Sequence, residues 1–71
     1  MNWSPEELDR LERAIMEGGR VQINRRGTEY VLVAHTLRTK GPVETLVGRH
    51  PTKGDDVEFR LDEIDRFAVV E

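Results

Sequence analysis

The side chains that could run a nucleophilic reaction are few. The sequence holds two histidines, His35 and His50, and one serine, Ser4. A nucleophile needs a base within hydrogen-bond reach and a third group to orient that base, and no such set is apparent. Ser4 stands before "PEE" and reads as a helix cap. His35 closes an apolar run and reads as a partly buried core or rim residue, while His50 precedes Pro51 and reads as an exposed turn residue. No enzyme is expected. The acids of "GDDVE" and "LDEID" are of the kind hard cations take, but neither stretch has the twelve-residue spacing of an EF-hand loop. They read as solvated acids and turn caps, so no metal and no cofactor is expected. "GGR" and "RRG" lack the strand-to-helix setting of a phosphate-binding loop.

Charge is more informative. The net −3 of the 71 residues is unevenly laid out. Residues 1–19 carry five acids against two bases, residues 20–53 seven bases against two acids, and residues 54–71 seven acids against two bases. A basic middle between acidic ends asks to be placed in space before it is interpreted. The chain has no cysteine, which leaves no disulfide framework and no thiolate zinc site and fits a reducing cytoplasm. No apolar run approaches the ~20 residues of a membrane span, and "MNWSPEELDR" lacks the basic start and apolar stretch of a signal peptide. The expectation is a cytoplasmic protein with no membrane contact.

These groups must be held by a small number of elements. "WSPEELDRLERAIMEGG" predicts a helix over residues 4–18. Ser4 caps it, Pro5 takes the first helical position, and Glu7 completes a capping box. Trp3 and Leu8 have the spacing of a hydrophobic staple, and Leu8, Leu11 and Ile15, with Ala14 beside them, form a helical stripe. Glu6 with Arg10 and Asp9 with Arg13 are spaced as i,i+4 pairs, and Gly18-Gly19 stops the helix. The period then falls to 2. "RVQIN" and "TEYVLVAH" predict strands about a tight "RRG" turn, with Gly27 supplying positive φ. "TLRTKGP" reads as a loop and "VETLVGRH" as a third strand, in which Gly48 marks a bulge or close approach. "PTKGDD" reads as a turn, "VEFRL" and "RFAVV" as the last two strands. The intervening "DEID" is too short for a helix and lacks a hairpin glycine. It predicts a 3-10 turn capped by Asp62, with Ile64 dropping into the core.

One helix, a four-strand meander, a 3-10 bridge and a short last strand define a mainly β (α+β) single domain over residues 1–71. The expected architecture is a five-stranded SH3-like/Sm-like antiparallel barrel over residues 20–70, its last strand paired with its first. Its expected core is Leu8, Leu11, Ile15, Val21, Ile23, Leu32, Val47, Phe59, Leu61, Ile64 and Phe67.

The closing "VEFRLDEIDRFAVVE", together with "VQINRRGTEYVLVAHTL" and "VETLVGRHPTKGDD", resembles the Sm-like barrel of WYL domains over roughly residues 20–70. At the name-giving place the chain departs, with Glu44-Thr45-Leu46 where that family has Trp-Tyr-Leu. The resemblance implies a module that accompanies bacterial transcription regulators and senses a ligand or nucleic acid. The helix-plus-barrel layout is also similar to the Rof family, small bacterial inhibitors of the transcription terminator Rho, which implies a protein partner in RNA metabolism.

Two surfaces follow. Turns of a meander alternate ends, so Arg25 and Arg26 of the first turn and Arg49, His50 and Lys53 of the third connection are expected on one basic rim. Arg38 and Lys40 fall at the opposite end. Such a rim attracts a phosphate backbone, although the exposed aromatics that stack single-stranded bases are scarce. The second surface is the helix face of Glu6, Asp9, Glu12 and Arg13, placed to meet a protein. The expected function is a non-enzymatic regulatory binding module engaging a nucleic acid or a transcription-related protein. The alternative is a protein-interaction or self-assembling homo-oligomeric module without nucleic-acid contact.

Overall fold

In the computed structural model, which describes residues 2–70, helix α1 spans Pro5–Glu17. Its ends are set by the residues that predict them. Ser4 Oγ accepts the Glu7 backbone N–H at 3.2 Å, and Glu7 Oε1 accepts the Ser4 N–H at 3.4 Å, closing the capping box. Gly18 ends the helix in the left-handed region at φ 64°. Trp3 ties the start of the helix to the far end of the chain. Its Nε1–H donates to the Leu61 carbonyl at 2.9 Å, and its ring lies 5.1 Å from that of Phe67. The expected i,i+4 pairs of Glu6 with Arg10 and Asp9 with Arg13 do not close among the described residues. Exposed pairs of this kind gain too little to hold long side chains in one geometry.

Five strands follow: β1 (Arg20–Arg25), β2 (Thr28–Lys40), β3 (Val43–Arg49), β4 (Asp56–Arg60) and β5 (Arg66–Val70), with the 3-10 turn Leu61–Glu63 between β4 and β5. All neighbours are antiparallel, in the order β4-β3-β2-β1-β5. Arg26 and Gly27 join β1 to β2 with φ of 51° and 77°, the two positive values of a type I′ hairpin. As expected, β5 pairs with β1, Phe67 opposite Ile23 and Val69 opposite Val21. No ladder joins β4 to β5 among the described residues, so the sheet is open where a closed barrel was expected.

The open sheet is nevertheless sharply curled. Phe59 pairs with Leu46, which pairs with Leu37, seven residues beyond Tyr30 on β2. A straight strand would separate Tyr30 from that row by roughly 23 Å, yet the Tyr30 and Phe59 rings are 4.9 Å apart. β2 must bend between them, and the register shift between Ala34 and Thr36, which leaves His35 unpaired, is where it does so. The bulge also corrects the expectation of a loop over "TLRTKGP". The strand continues to Lys40, and Gly41-Pro42 alone make the turn. His35 is exposed at this bulge and is no core residue.

The core lies between α1 and the concave side of the sheet. Leu11, Ala14, Val21, Ile23, Leu32, Ala34, Leu46, Phe59, Leu61 and Ile64 are buried in one cluster, with Leu8, Ile15 and Phe67 packed half-buried against it. Val47 is buried as expected, whereas Leu46 and Ala34 join the core unannounced. Asp62 does not cap the 3-10 turn, which has no side-chain cap. It accepts instead from Arg60, with Nη2 to Oδ2 at 2.7 Å. The radius of gyration is 11.1 Å, as a 71-residue globule requires at about 11 Å. No helix is long and apolar enough to cross a membrane among the described residues.

Candidate functional site

The register fixes where the basic side chains stand along the strands. Arg49 stands opposite Val33, and Val33 opposite Arg20 at the start of β1. Arg25 stands opposite Thr28 at the other end of that strand, five residues away, or roughly 17 Å of chain. The two positions are thus five residues apart along the chain of β2, while the curl of the sheet brings the Arg25 guanidinium to Phe59 on β4, the strand whose Asp56 stands opposite Arg49. β2 pairs with β1 through its first half and with β3 through its second, so the two connections meet different parts of that strand.

Most of these charges also have local tasks. Arg25 lays its guanidinium 4.6 Å from the Phe59 ring centroid and 5.5 Å from that of Tyr30, covering the aromatic end of the core. Arg49 pairs with Asp56 at 3.3 Å and Arg38 with Glu58 at 3.0 Å, all four side chains more than half exposed. His50 is partly buried rather than free: its Nδ1 accepts the backbone N–H groups of Thr52 and Lys53 at 3.3 and 3.2 Å. The ring thus ties down the β3–β4 loop as an Asn or Asp side chain ties an Asx turn. Arg26 is the exception. It is exposed, it is the one non-glycine residue at positive φ among those described, and only its backbone N–H is engaged, with Asp65 Oδ2 at 3.0 Å. Lys53 is likewise exposed.

The helix-face residues Glu6, Asp9, Glu12 and Arg13 are all exposed on α1, and the last of them, Arg13, also borders β5. It lines an open groove of about 610 Å³ between the second half of α1 and β5, with Arg10, Ala14 and Glu17 on the helix side and Phe67–Val70 on the strand side. Neither Arg10 nor Arg13 has a carboxylate within 4.0 Å among the described residues.

The groove runs along a sheet edge. β5 pairs only with β1, so half of its backbone N–H and C=O groups point away from the sheet. The edge is apolar as well: Val69 and Val70 are 37% and 41% exposed, and Ala68 is exposed between its neighbours. The other edge, β4, is unlike it. Asp56, Glu58 and Arg60 are exposed there, and each is held in an ion pair. Charged side chains on an edge are how sheets discourage further pairing. β4 carries three charged residues on its edge, whereas β5 carries one, Arg66 at its start, and is apolar from Phe67 to Val70.

The sequence carried two signals for this surface that the charge layout obscured. "FAVV" is apolar at consecutive positions, whereas a strand with one solvated face alternates. Arg10, Arg13, Ala14 and Glu17 have the i, i+3, i+4, i+7 spacing of one helix face, adjacent to the apolar stripe.

No family model matches the chain, and no curated protein matches it. The likeness to WYL domains and to the Rof family therefore rests on the quoted residues alone.

Proposed function

We propose that this chain is a small non-enzymatic binding module whose working surface is the α1–β5 groove with the free edge of β5, and that it receives an extended strand of protein there. The observation that carries this is the contrast between the two edges, one blunted by paired charges and the other apolar beside an open groove. In strand addition the main chain supplies affinity and alternate side-chain pockets supply selectivity. Phe67 and Val69 are in register with the core residues Ile23 and Val21 and alternate with Ala68 and Val70 along the strand wall of the groove. The strand order and the 3-10 turn bridging β4 to β5 support assignment of the scaffold to the SH3-like/Sm-like class, with the curled sheet as an incompletely hydrogen-bonded barrel.

The test is a titration of the isotope-labelled protein, followed by NMR, with an uncharged hexapeptide of alternating valine and threonine. Shifts confined to β5 and residues 10–17 are expected, and they should vanish in Val70→Lys, which places an edge-guarding charge on the strand. Shifts elsewhere, or none at saturating peptide, overturn the assignment.

Arg26 favours a second reading. An exposed arginine held at φ 51° occupies a position where asparagine or glycine is at ease, and such an outlier points to a use for its charge. That use would be phosphate contact by the hairpin tip. Fluorescence anisotropy of labelled single-stranded RNA at two salt concentrations decides it. Binding that weakens steeply with salt and is lost in Arg25→Glu/Arg26→Glu supports a nucleic-acid contact; salt-insensitive binding, or none, removes it.

A further inference from the structure

We infer that the strand received by the groove is β5 of a second copy of this chain, paired antiparallel across a two-fold axis into one ten-stranded sheet. This rests on the reading of the groove as a strand-receiving surface. Three observations single out a second copy over a foreign segment.

The first is that only one edge is open. A chain that associates through two different edges grows without limit unless its rotation closes, whereas one that uses the same edge twice closes as a dimer. β4 is guarded by Asp56, Glu58 and Arg60, which leaves β5 to pair with itself.

The second is that β5 matches its own reverse. With the axis at Ala68, Phe67 falls opposite Val69 of the second copy on the concave side, and Arg66 falls opposite Val70 on the other. Apolar groups meet on the concave side, and no like charges stand directly opposite. The concave-side pairs would continue the rows Phe67–Ile23–Tyr30 and Val69–Val21–Leu32 of each copy.

The third is the charge along the groove. Arg10 and Arg13 precede Glu17 along α1, and all three line the groove. A two-fold axis that crosses this row between Arg13 and Glu17 sets Arg13 of each copy against Glu17 of the other. An acidic foreign segment would meet Glu17 as a like charge, and a basic one would meet the two arginines.

Association would also cover Val69 and Val70, exposed apolar side chains on a chain small enough to hide only roughly 60% of its unfolded surface when alone.

Sedimentation equilibrium of the full chain from about 10 μM to about 1 mM tests this. A mass rising from 8.2 kDa to twice that value, and no further, is expected. Val70→Lys and Glu17→Arg should each weaken association about tenfold or more, with unchanged far-ultraviolet circular dichroism confirming that the variants are folded. The double change Arg13→Glu/Glu17→Arg restores the opposed charges and should recover most of the loss, a rescue that a role within one copy would not give. A mass of 8.2 kDa throughout overturns the inference, as does growth beyond a dimer or a dimer indifferent to all three variants. A monomer that still binds the valine–threonine peptide at β5 leaves the groove as a binding surface with another occupant. A monomer that does not bind it removes both.

Discussion

Two single residues are held in positions that their substitution should expose. Arg26 has φ 51° in the type I′ turn, and a left-handed conformation costs a residue with a Cβ roughly 1–2 kcal/mol. Asparagine is at home there, and the Arg26 backbone bond to Asp65 does not involve the side chain that would be replaced. Arg26→Asn should therefore stabilise the fold by about 0.5–1 kcal/mol, read as a higher urea midpoint at unchanged slope; a lower midpoint would mean that the guanidinium holds the hairpin. Gly48 is the opposite case. A Cβ built on it would lie 3.1 Å from both Leu32 Cβ and the Val33 carbonyl oxygen and 3.2 Å from Leu32 Cδ1, with no positive φ involved. Leu32 is buried and Val33 O is backbone, so neither yields readily. Gly48→Ala should cost about 1–3 kcal/mol, again by urea unfolding, and a neutral result would show that β2 relaxes at its bulge.

Among the elements, the helix was legible to the residue at its start. Ser4, Pro5 and Glu7 each satisfy a local chemical need, and such needs do not depend on the rest of the fold. Ser4→Ala removes the acceptor for the Glu7 N–H and should cost about 1 kcal/mol; Ser4→Asp, which keeps an acceptor and adds negative charge at the positive end of the helix dipole, should cost little. Comparison of the two urea midpoints separates capping from a nonspecific effect of the site. β2 was legible only to its bulge. Leu32 and Ala34 point inward at even positions, but the unpaired His35 shifts the register, so Leu37 is the next to pack against the core, at an odd position. Across such a break the period of 2 disappears, and threonines, charges and a Gly-Pro pair look like a loop. The groove was obscured for a related reason. Arg13 could be assigned to a helix face, but which neighbour that face meets depends on the pairing of residues 66–70 with residues 20–24. That is a contact between distant parts of the chain, set by tertiary packing rather than by local propensity. The same dependence sets the places of Arg25 and Arg49, which stand opposite Thr28 and Val33 at the two ends of the β1–β2 ladder.

At the scale of the molecule, the helix is half of the enclosure rather than an appendage. The sheet is curled but open between β4 and β5, and α1 lies over its concave side, touching β1, β2 and β5. Leu11 and Ala14 are buried with Val21, Ile23 and Leu32 in the same cluster, and Trp3 reaches across 58 residues to bond Leu61 where β4 gives way to the 3-10 turn. A chain of this length has about 4–10 kcal/mol of stability in all, and Leu11→Ala alone should remove about 2–5 kcal/mol of it. Loss of the whole helix uncovers several core side chains at once. A hydrogen-bonded closed barrel would tolerate that loss better, since its backbone groups would remain paired without the helix. A chain of residues 19–71 should therefore show no cooperative urea transition and a poorly dispersed amide spectrum, and a synthetic peptide of residues 1–18 should restore dispersion when added in excess. A truncated chain that unfolds cooperatively by itself would mean that the curled sheet is self-sufficient, with β4 and β5 held together by Ile64, Phe67 and the 3-10 turn between them rather than by the helix above.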